Sequence, residues 1–386
     1  MSVTAAHGFR AAGVAAGLKS SGLLDVALVV NDGPLYSAAG VFTSNRVKAA
    51  PVLWTQQVLA DGRADAVVLN SGGANACTGP QGFQDTHATA EWAAAELAIS
   101  ATDVAVCSTG LIGDRLPVDR LLAGVAKAVP LLSVPGADDA ARAVMTTDSV
   151  PKQAVAIVAG GSECTVGGMA KGAGMLAPGL ATMLVVLTTD AAAEPAVLDR
   201  ALRAATAQTF DRVDSDGCMS TNDTVLLLAS GASGESPDED ALTAAVTAVC
   251  ADLAHQLVDD AEGSSKTIAV TVQHAATEDD AVTAARAVAR SNLLKCAIHG
   301  EDPNWGRVLA AVGTTDAVFD PDRLAVALNE VWVCRDGMAA EGRGKADLSG
   351  RDVTITVDLA AGEVSATVWT NDLTAAYVHE NSAYST

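Results

Sequence analysis

Aromatic side chains make up only 3% of the 386 residues, so any core must be aliphatic. Charge is sparse as well, at 18% against 49% hydrophobic residues. That balance describes an ordered, well-buried globule and not a disordered chain. Basic residues are the scarcer sign, 24 against 46 acidic, for a formal charge of -22. Nucleic acids and anionic membranes attract Lys/Arg-rich surfaces, so neither is expected as a partner. The amino-terminal stretch has no long apolar segment, being interrupted by Arg10 and Lys19, and reads as neither signal nor transit peptide. The most apolar runs, such as residues 225–229, are too short to span a bilayer. The seven cysteines are scattered without a CxxC pair, which fits free thiols in a reducing cytoplasm better than disulfides or zinc.

Motifs for metals and nucleotides are missing too. The six histidines show no HExxH and no close ligand spacing. Residues 214–223, DSDGCMSTND, resemble part of a calcium loop, but Val225 stands where the twelfth-position glutamate belongs. The glycines of residues 70–79 are no P-loop, because GK[ST] is absent. Neither a metal nor a nucleotide cofactor is expected.

At this length the chain can form two domains or one large two-lobed body. Strand-like runs fall at residues 26–30, 66–69, 104–107 and 154–158, then at 183–187, 225–230, 267–272, 324–328, 353–358 and 364–370. Helical patterns fall at residues 86–97, 118–129, 138–144, 195–207, 239–257 and 279–289. Interleaving of this kind predicts an α/β protein with helices packed on sheets. The late run VTITVDLAAGEVSATVW reads as a β-hairpin, so a purely parallel sheet is not expected.

Residues 171–190, KGAGMLAPGLATMLVVLTTD, hold the most informative chemistry. Gly172, Gly174, Pro178 and Gly179 crowd together in a way that a helix interior disfavours. The segment therefore reads as a tight loop delivering Thr182 to the start of a buried strand. A threonine hydroxyl is a weak nucleophile until a base takes its proton. Breaking the Ala181–Thr182 bond would place a free α-amine on the same residue, with an unperturbed pKa of about 7.7–8.0. One residue then supplies nucleophile and base. An isolated Ala-Thr after a glycine loop is otherwise an ordinary β-branched residue opening a strand.

Residues 107–113, CSTGLIG, end a strand. Acyl transfer needs donors aimed at the oxygen that becomes negative. The Gly110 N–H and the Thr109 hydroxyl are of the right kind, although Ser-Thr-Gly also makes a plain strand-to-helix turn. Cys107 reads as a small buried hydrophobe before it reads as a nucleophile.

These segments have companions: NSGGANACTG (70–79), MTTD (145–148), DAEGSSK (260–266), HGEDPNWGR (299–307) and NSAYST (381–386). Together they span nearly the whole chain, which resembles the ornithine acetyltransferase family of arginine biosynthesis. The resemblance implies an αββα sandwich of mixed sheets flanked by helices. It implies self-cleavage into an α chain, 1–181, and a β chain, 182–386, which stay associated as two α and two β. By the same resemblance Thr182 is the nucleophile, and Thr109 and Gly110 form the oxyanion hole. Thr147, Lys171, Thr182, Glu262, Asn381 and Thr386 bind substrate. Thr146 competes with Thr147 for its role. Lys171 suits a carboxylate as a point charge, and Glu262 suits an ammonium group. The terminal segment must then be ordered enough to fold back into the site.

The implied reaction is ping-pong: acetyl passes from N2-acetyl-L-ornithine to Thr182, then to L-glutamate. Acetyl-CoA is a possible second donor, and no cofactor is implied. Two rivals are an N-terminal-nucleophile amidohydrolase or aminopeptidase, and a non-catalytic amino-acid-binding protein with an intact chain.

Overall fold

Several runs in this chain, VALVVN, AVVLNS, LVVLTT and TVLLLA, are apolar without alternation. A strand of that kind needs cover on both faces, and a stack of two sheets between helix layers supplies it. A computed structural model describes residues 2–160, 163–177, 183–340 and 343–383. The expectations placed on Ala181, Thr182 and Thr386 lie outside the described residues.

Through the first two thirds run β1 (Phe9–Val14), β2 (Val26–Asn31), β3 (Ser37–Phe42), α1 (Ala50–Val58), β4 (Ala66–Ser71), α2 (Gly79–Leu97), β5 (Val104–Thr109), α3 (Val118–Ala128) and α4 (Ala137–Ala143). They continue with β6 (Lys152–Ile157), β7 (Thr165–Lys171), β8 (Leu184–Thr189), α5 (Pro195–Gln208), β9 (Thr224–Ala229) and α6 (Glu239–Asp259). One sheet has the order β1-β2-β4-β5 and the next β3-β9-β8-β7-β6. Their facing sides meet through Val29, Val67, Leu69 and Ala105 on one sheet and Met169, Leu184, Val186 and Leu226 on the other. Outside the first sheet, Leu28, Val68 and Val106 pack with Trp54 of α1, Ala90 of α2 and Val125 of α3. Outside the second, Val185, Leu187 and Leu227 pack with Leu198 of α5 and Val246 and Leu253 of α6. The layers are helix, sheet, sheet, helix, as expected.

The remainder contains β10 (Thr267–Ala275), α7 (Glu278–Ala289), α8 (Asn292–His299), α9 (Trp305–Val312), β11 (Ala325–Leu328), β12 (Val331–Arg335), β13 (Met338–Ala339), β14 (Asp352–Asp358), β15 (Val364–Asn371) and α10 (Ala375–Ala383). Its sheet has the order β13-β12-β11-β14-β10-β15. Alternating positions Ile268, Val270 and Val272 of β10 meet Ala285, Val288 and Ile298 from α7 and α8.

Here one expectation fails. β14 and β15 are no hairpin, because β10 lies between them, parallel to β14 and antiparallel to β15. The turn joining them arches over the end of β10. Leu359 N–H donates to Gln273 O at 3.1 Å, and Gly362 N–H donates to His274 O at 2.9 Å. A side chain at Gly362 would collide with Ala275 O, so the turn chemistry that suggested a hairpin serves this crossing.

The sequence reading also passed over β1, β3, β7 and α1, and over α6 as a bilayer-length segment. By length and composition α6 could cross a membrane. Its Leu242, Val246, Val249 and Leu253 are nevertheless buried in the core.

β7 and β8 are antiparallel neighbours, so residues 172–183 connect adjacent strands. The boundary expected at 181/182 falls inside that connection. A break there leaves the β7–β8 and β3–β9 pairings to hold the two pieces together.

Candidate active site

Three strand ends converge. β5 ends at Thr109, which is buried. Gly110 follows at φ +131°, and a Cβ there would stand 2.5 Å from Gly73 N, so only glycine fits. Gly73 N–H donates to Thr109 O at 3.0 Å. Asn222, just before β9, donates from Nδ2 to Ser108 O at 2.8 Å and to Ala74 O at 2.6 Å. The 72–74 loop, the end of β5 and the start of β9 are thus tied into one rigid frame.

Lys171 ends β7 and is 2% exposed. Its Nζ donates to Thr146 Oγ1 at 2.7 Å and to Thr109 Oγ1 at 3.3 Å, with Asp148 Oδ2 at 3.8 Å. Asp148, also buried, accepts from Gly172 N–H at 2.6 Å, Thr146 N–H at 3.0 Å and Lys152 Nζ at 2.7 Å. Lys152 is shared with Asp260 at 2.6 Å. Burial alone would raise the Asp148 carboxyl, but Lys171 and Lys152 outweigh it and hold the group down at about 2. Burial lowers the Lys171 ammonium, and Asp148 opposes that shift. The network thus offsets part of what burial costs the charged form of Lys171.

The other nominated residues cluster nearby. Glu262 N–H donates to Ala173 O at 2.9 Å. The Glu262 carboxylate lies against Gly174, where a Cβ would meet it at 2.7 Å. Glu262 Oε2 accepts from Asn381 Nδ2 of α10 at 3.0 Å, so the described part of the terminal segment does fold back. Thr146 touches Lys171, whereas Thr147 is exposed. Cys107 is buried, and burial pushes its thiol up to about 12, which suits packing and not nucleophilic attack.

The 214–223 run is tied to its surroundings through its carboxylates. Asp214 pairs with Arg290 at 2.6 Å, and Asp216 accepts from Met175 N–H at 2.7 Å. Asp223, at its end, accepts from Met183 N–H at 3.1 Å. Both sides of residues 178–182 are therefore anchored to this run. Sequence reasoning missed Asp148, Asp223 and Asn222. The first lies in the MTTD block and the others close the run set aside as a failed calcium loop, so their signal was position alone.

Such an arrangement gathers a hydroxyl, a close-approach glycine and a buried cation where a charge can develop away from water, as acyl transfer requires. The ArgJ family model matches residues 10–386. The chain belongs to the ArgJ family. The arginine biosynthesis bifunctional protein ArgJ of Streptomyces coelicolor is 68% identical over 385 residues, covering 100% of both chains. The Mycobacterium tuberculosis protein of that name is 63% identical over 390 residues, covering 99% of this chain and 96% of that one. A crystal structure of M. tuberculosis ornithine acetyltransferase complexed with ornithine is 64% identical, covers 47% of this chain and 96% of that chain, and has a TM-score of 0.45. As an ArgJ family member the chain is an enzyme of arginine biosynthesis, an acyltransferase acting on small molecules.

Proposed function

We propose that this enzyme moves an acetyl group from N2-acetyl-L-ornithine to L-glutamate by a ping-pong route, after cutting itself between Ala181 and Thr182. The Thr182 hydroxyl attacks the acetyl carbonyl while its own α-amine takes the proton. The Thr109 hydroxyl and Gly110 N–H stabilise the oxyanion. Ornithine leaves, an acetyl ester stays on Thr182, and the glutamate amine takes the acetyl group. Lys171 receives the substrate carboxylate and Glu262 the ammonium, with Thr147, Asn381 and Thr386 completing the pocket. One amide replaces another, so no energy source or cofactor is required. Acetyl-CoA serves as an additional donor, the α and β chains assemble as two of each, and the enzyme works in the cytoplasm.

The observation that carries this reading is the family match across residues 10–386. The geometry supports it by bringing Lys171 Nζ within 3.3 Å of Thr109 Oγ1 beside the connection that holds residue 182.

Intact mass spectrometry before and after adding acetylornithine tests it. The reading expects two fragments and an acetyl adduct on the second. Thr182→Ala should remain one inactive chain, and normal turnover by that variant refutes the assignment. Incubation with and without glutamate separates transfer from hydrolysis, since acetate as the product in both favours an amidohydrolase. Replacing acetylornithine by acetyl-CoA tests the additional donor.

A further inference from the structure

Glu262 borders a cavity of about 260 Å³ that is also lined by the start of the 214–223 run, by α8 and by the segment leading from β15 into α10. Four more charged side chains line it: Asp216, Arg290, Lys295 and Asp372. Two of them are committed elsewhere. Arg290 pairs with Asp214 at 2.6 Å, while Asp372 accepts from Lys266 N–H at 2.8 Å and meets His299 Nδ1 at 2.8 Å. Lys295 differs. It is 6% exposed, and its Nζ donates to two neutral oxygens, Ser215 O and Thr370 Oγ1. An ammonium has three N–H groups, so one remains, with no carboxylate of the described residues in contact with it. Burying a cation without a contacting anion is costly.

Donor and acceptor set a conflict at this place. In N2-acetyl-L-ornithine the α-nitrogen is acylated, so the ammonium assigned to Glu262 is the one at the end of the side chain. Glutamate carries a carboxylate on the same fifth carbon. With its α-carboxylate on Lys171 and its amine at the acetyl group, glutamate brings that second carboxylate to the same end of the site. Beside Glu262 and Asp216 it is repelled unless a cation answers it.

We propose that this cavity receives the side chains of both substrates, Asp216 joining Glu262 on the ammonium of acetylornithine and the free N–H of Lys295 taking the side-chain carboxylate of glutamate. This rests on the two substrates assigned above. Burial raises the Asp216 carboxyl, against hydrogen bonds from the Cys218, Leu176 and Met175 N–H groups and the charge of Lys295. Burial lowers the Lys295 ammonium, against Asp216, Asp214 and Asp372. Both groups are thus shifted towards neutrality, and each arriving side chain favours the charged form of its opposite. One cavity thereby serves two charges in turn.

Lys295→Met in the full chain is the test, because methionine keeps the buried stem and removes the charge. In a ping-pong route kcat/KM reports each half-reaction separately. For glutamate it should fall about 10–100-fold, what a hydrogen bond to a charged group supplies. For acetylornithine it should change less than about threefold. The preference for glutamate over glutamine, its neutral isostere, should shrink by the same factor. Asp216→Asn, which keeps an acceptor for Met175 N–H, should act in the opposite sense, costing acetylornithine about tenfold and glutamate nothing. Losses shared equally by both substrates, or unchanged kinetics, overturn the proposal. Should Lys295→Met fail to fold, the Asp216→Asn ratio decides, and an unmoved ratio removes the subsite. Wild-type enzyme that accepts glutamine as readily as glutamate also removes it, without any variant. Wild-type enzyme that gains no acetyl adduct from acetylornithine would instead sink the assigned reaction itself.

Discussion

Lys171 Nζ reaches Thr109 Oγ1 at 3.3 Å, although the two residues end strands of different sheets, β7 and β5. The contact crosses the sandwich. Because the lysine donates, the Thr109 hydroxyl keeps its own proton for another acceptor. A nearby cation also makes that proton a stronger donor.

Replacing Thr109 by valine keeps the shape and removes that proton. The expected result is a fall in kcat of about 10²–10³ with KM within about threefold of wild type. Steady-state kinetics with acetylornithine and glutamate measure it, and a change confined to KM would show that Thr109 holds substrate in its ground state.

Asp148 makes stability depend on pH. Its folded value, about 2, lies below the ordinary 3.8. The contribution is therefore fully present above about pH 4 and lost as pH falls through about 2, and it is worth about 2 kcal/mol at neutral pH. Wild-type Tm should drop through that window, and the Asp148→Asn variant should show a smaller drop. The variant should also be about 3–5 kcal/mol less stable near pH 7, because two buried lysines lose their shared anion. Equal acid sensitivity in both proteins would contradict the network.

At Gly110 a methyl group has no room, with Gly73 N 2.5 Å from where it would lie and φ at +131°. Gly110→Ala should cost about 1–3 kcal/mol in backbone strain alone. It should also displace the N–H, so kcat is expected to fall at least about tenfold. Thermal denaturation and kinetics together check this, and a stable, fully active variant would show that the strand end relaxes.

Asn381 reaches Glu262 at 3.0 Å from an exposed helix. Asn381→Ala should raise KM about tenfold, the value of a modest charge-assisted hydrogen bond, with Tm unchanged within about 1 °C. An unaltered KM would make the contact a surface pairing without a part in binding.

Much of this was legible in the chain. Unalternating apolar runs marked β2, β4, β5, β8 and β9 as strands covered on both faces, because burial on two sides leaves no polar positions. The small-residue turn after β5 marked Thr109 and Gly110 as a strand end near chemistry, and the loop from residue 171 marked Lys171 without revealing the strand it ends. β3 and β7 were harder to read because their glycines and alanines, SAAGVF and TVGGMAK, carry little hydrophobic signal.

Local pattern therefore determined many of the strands and helices, and which loops carry reactive types. The tertiary structure alone decided that β10 slides between β14 and β15, that Lys171 meets Thr109, and that Asp223 accepts the Met183 N–H. Periodicity records only whether a side chain is buried. Which buried charge meets which depends on how two sheets stack and register, and residues separated by 62 positions, as Lys171 and Thr109 are, leave no trace of that in the chain between them.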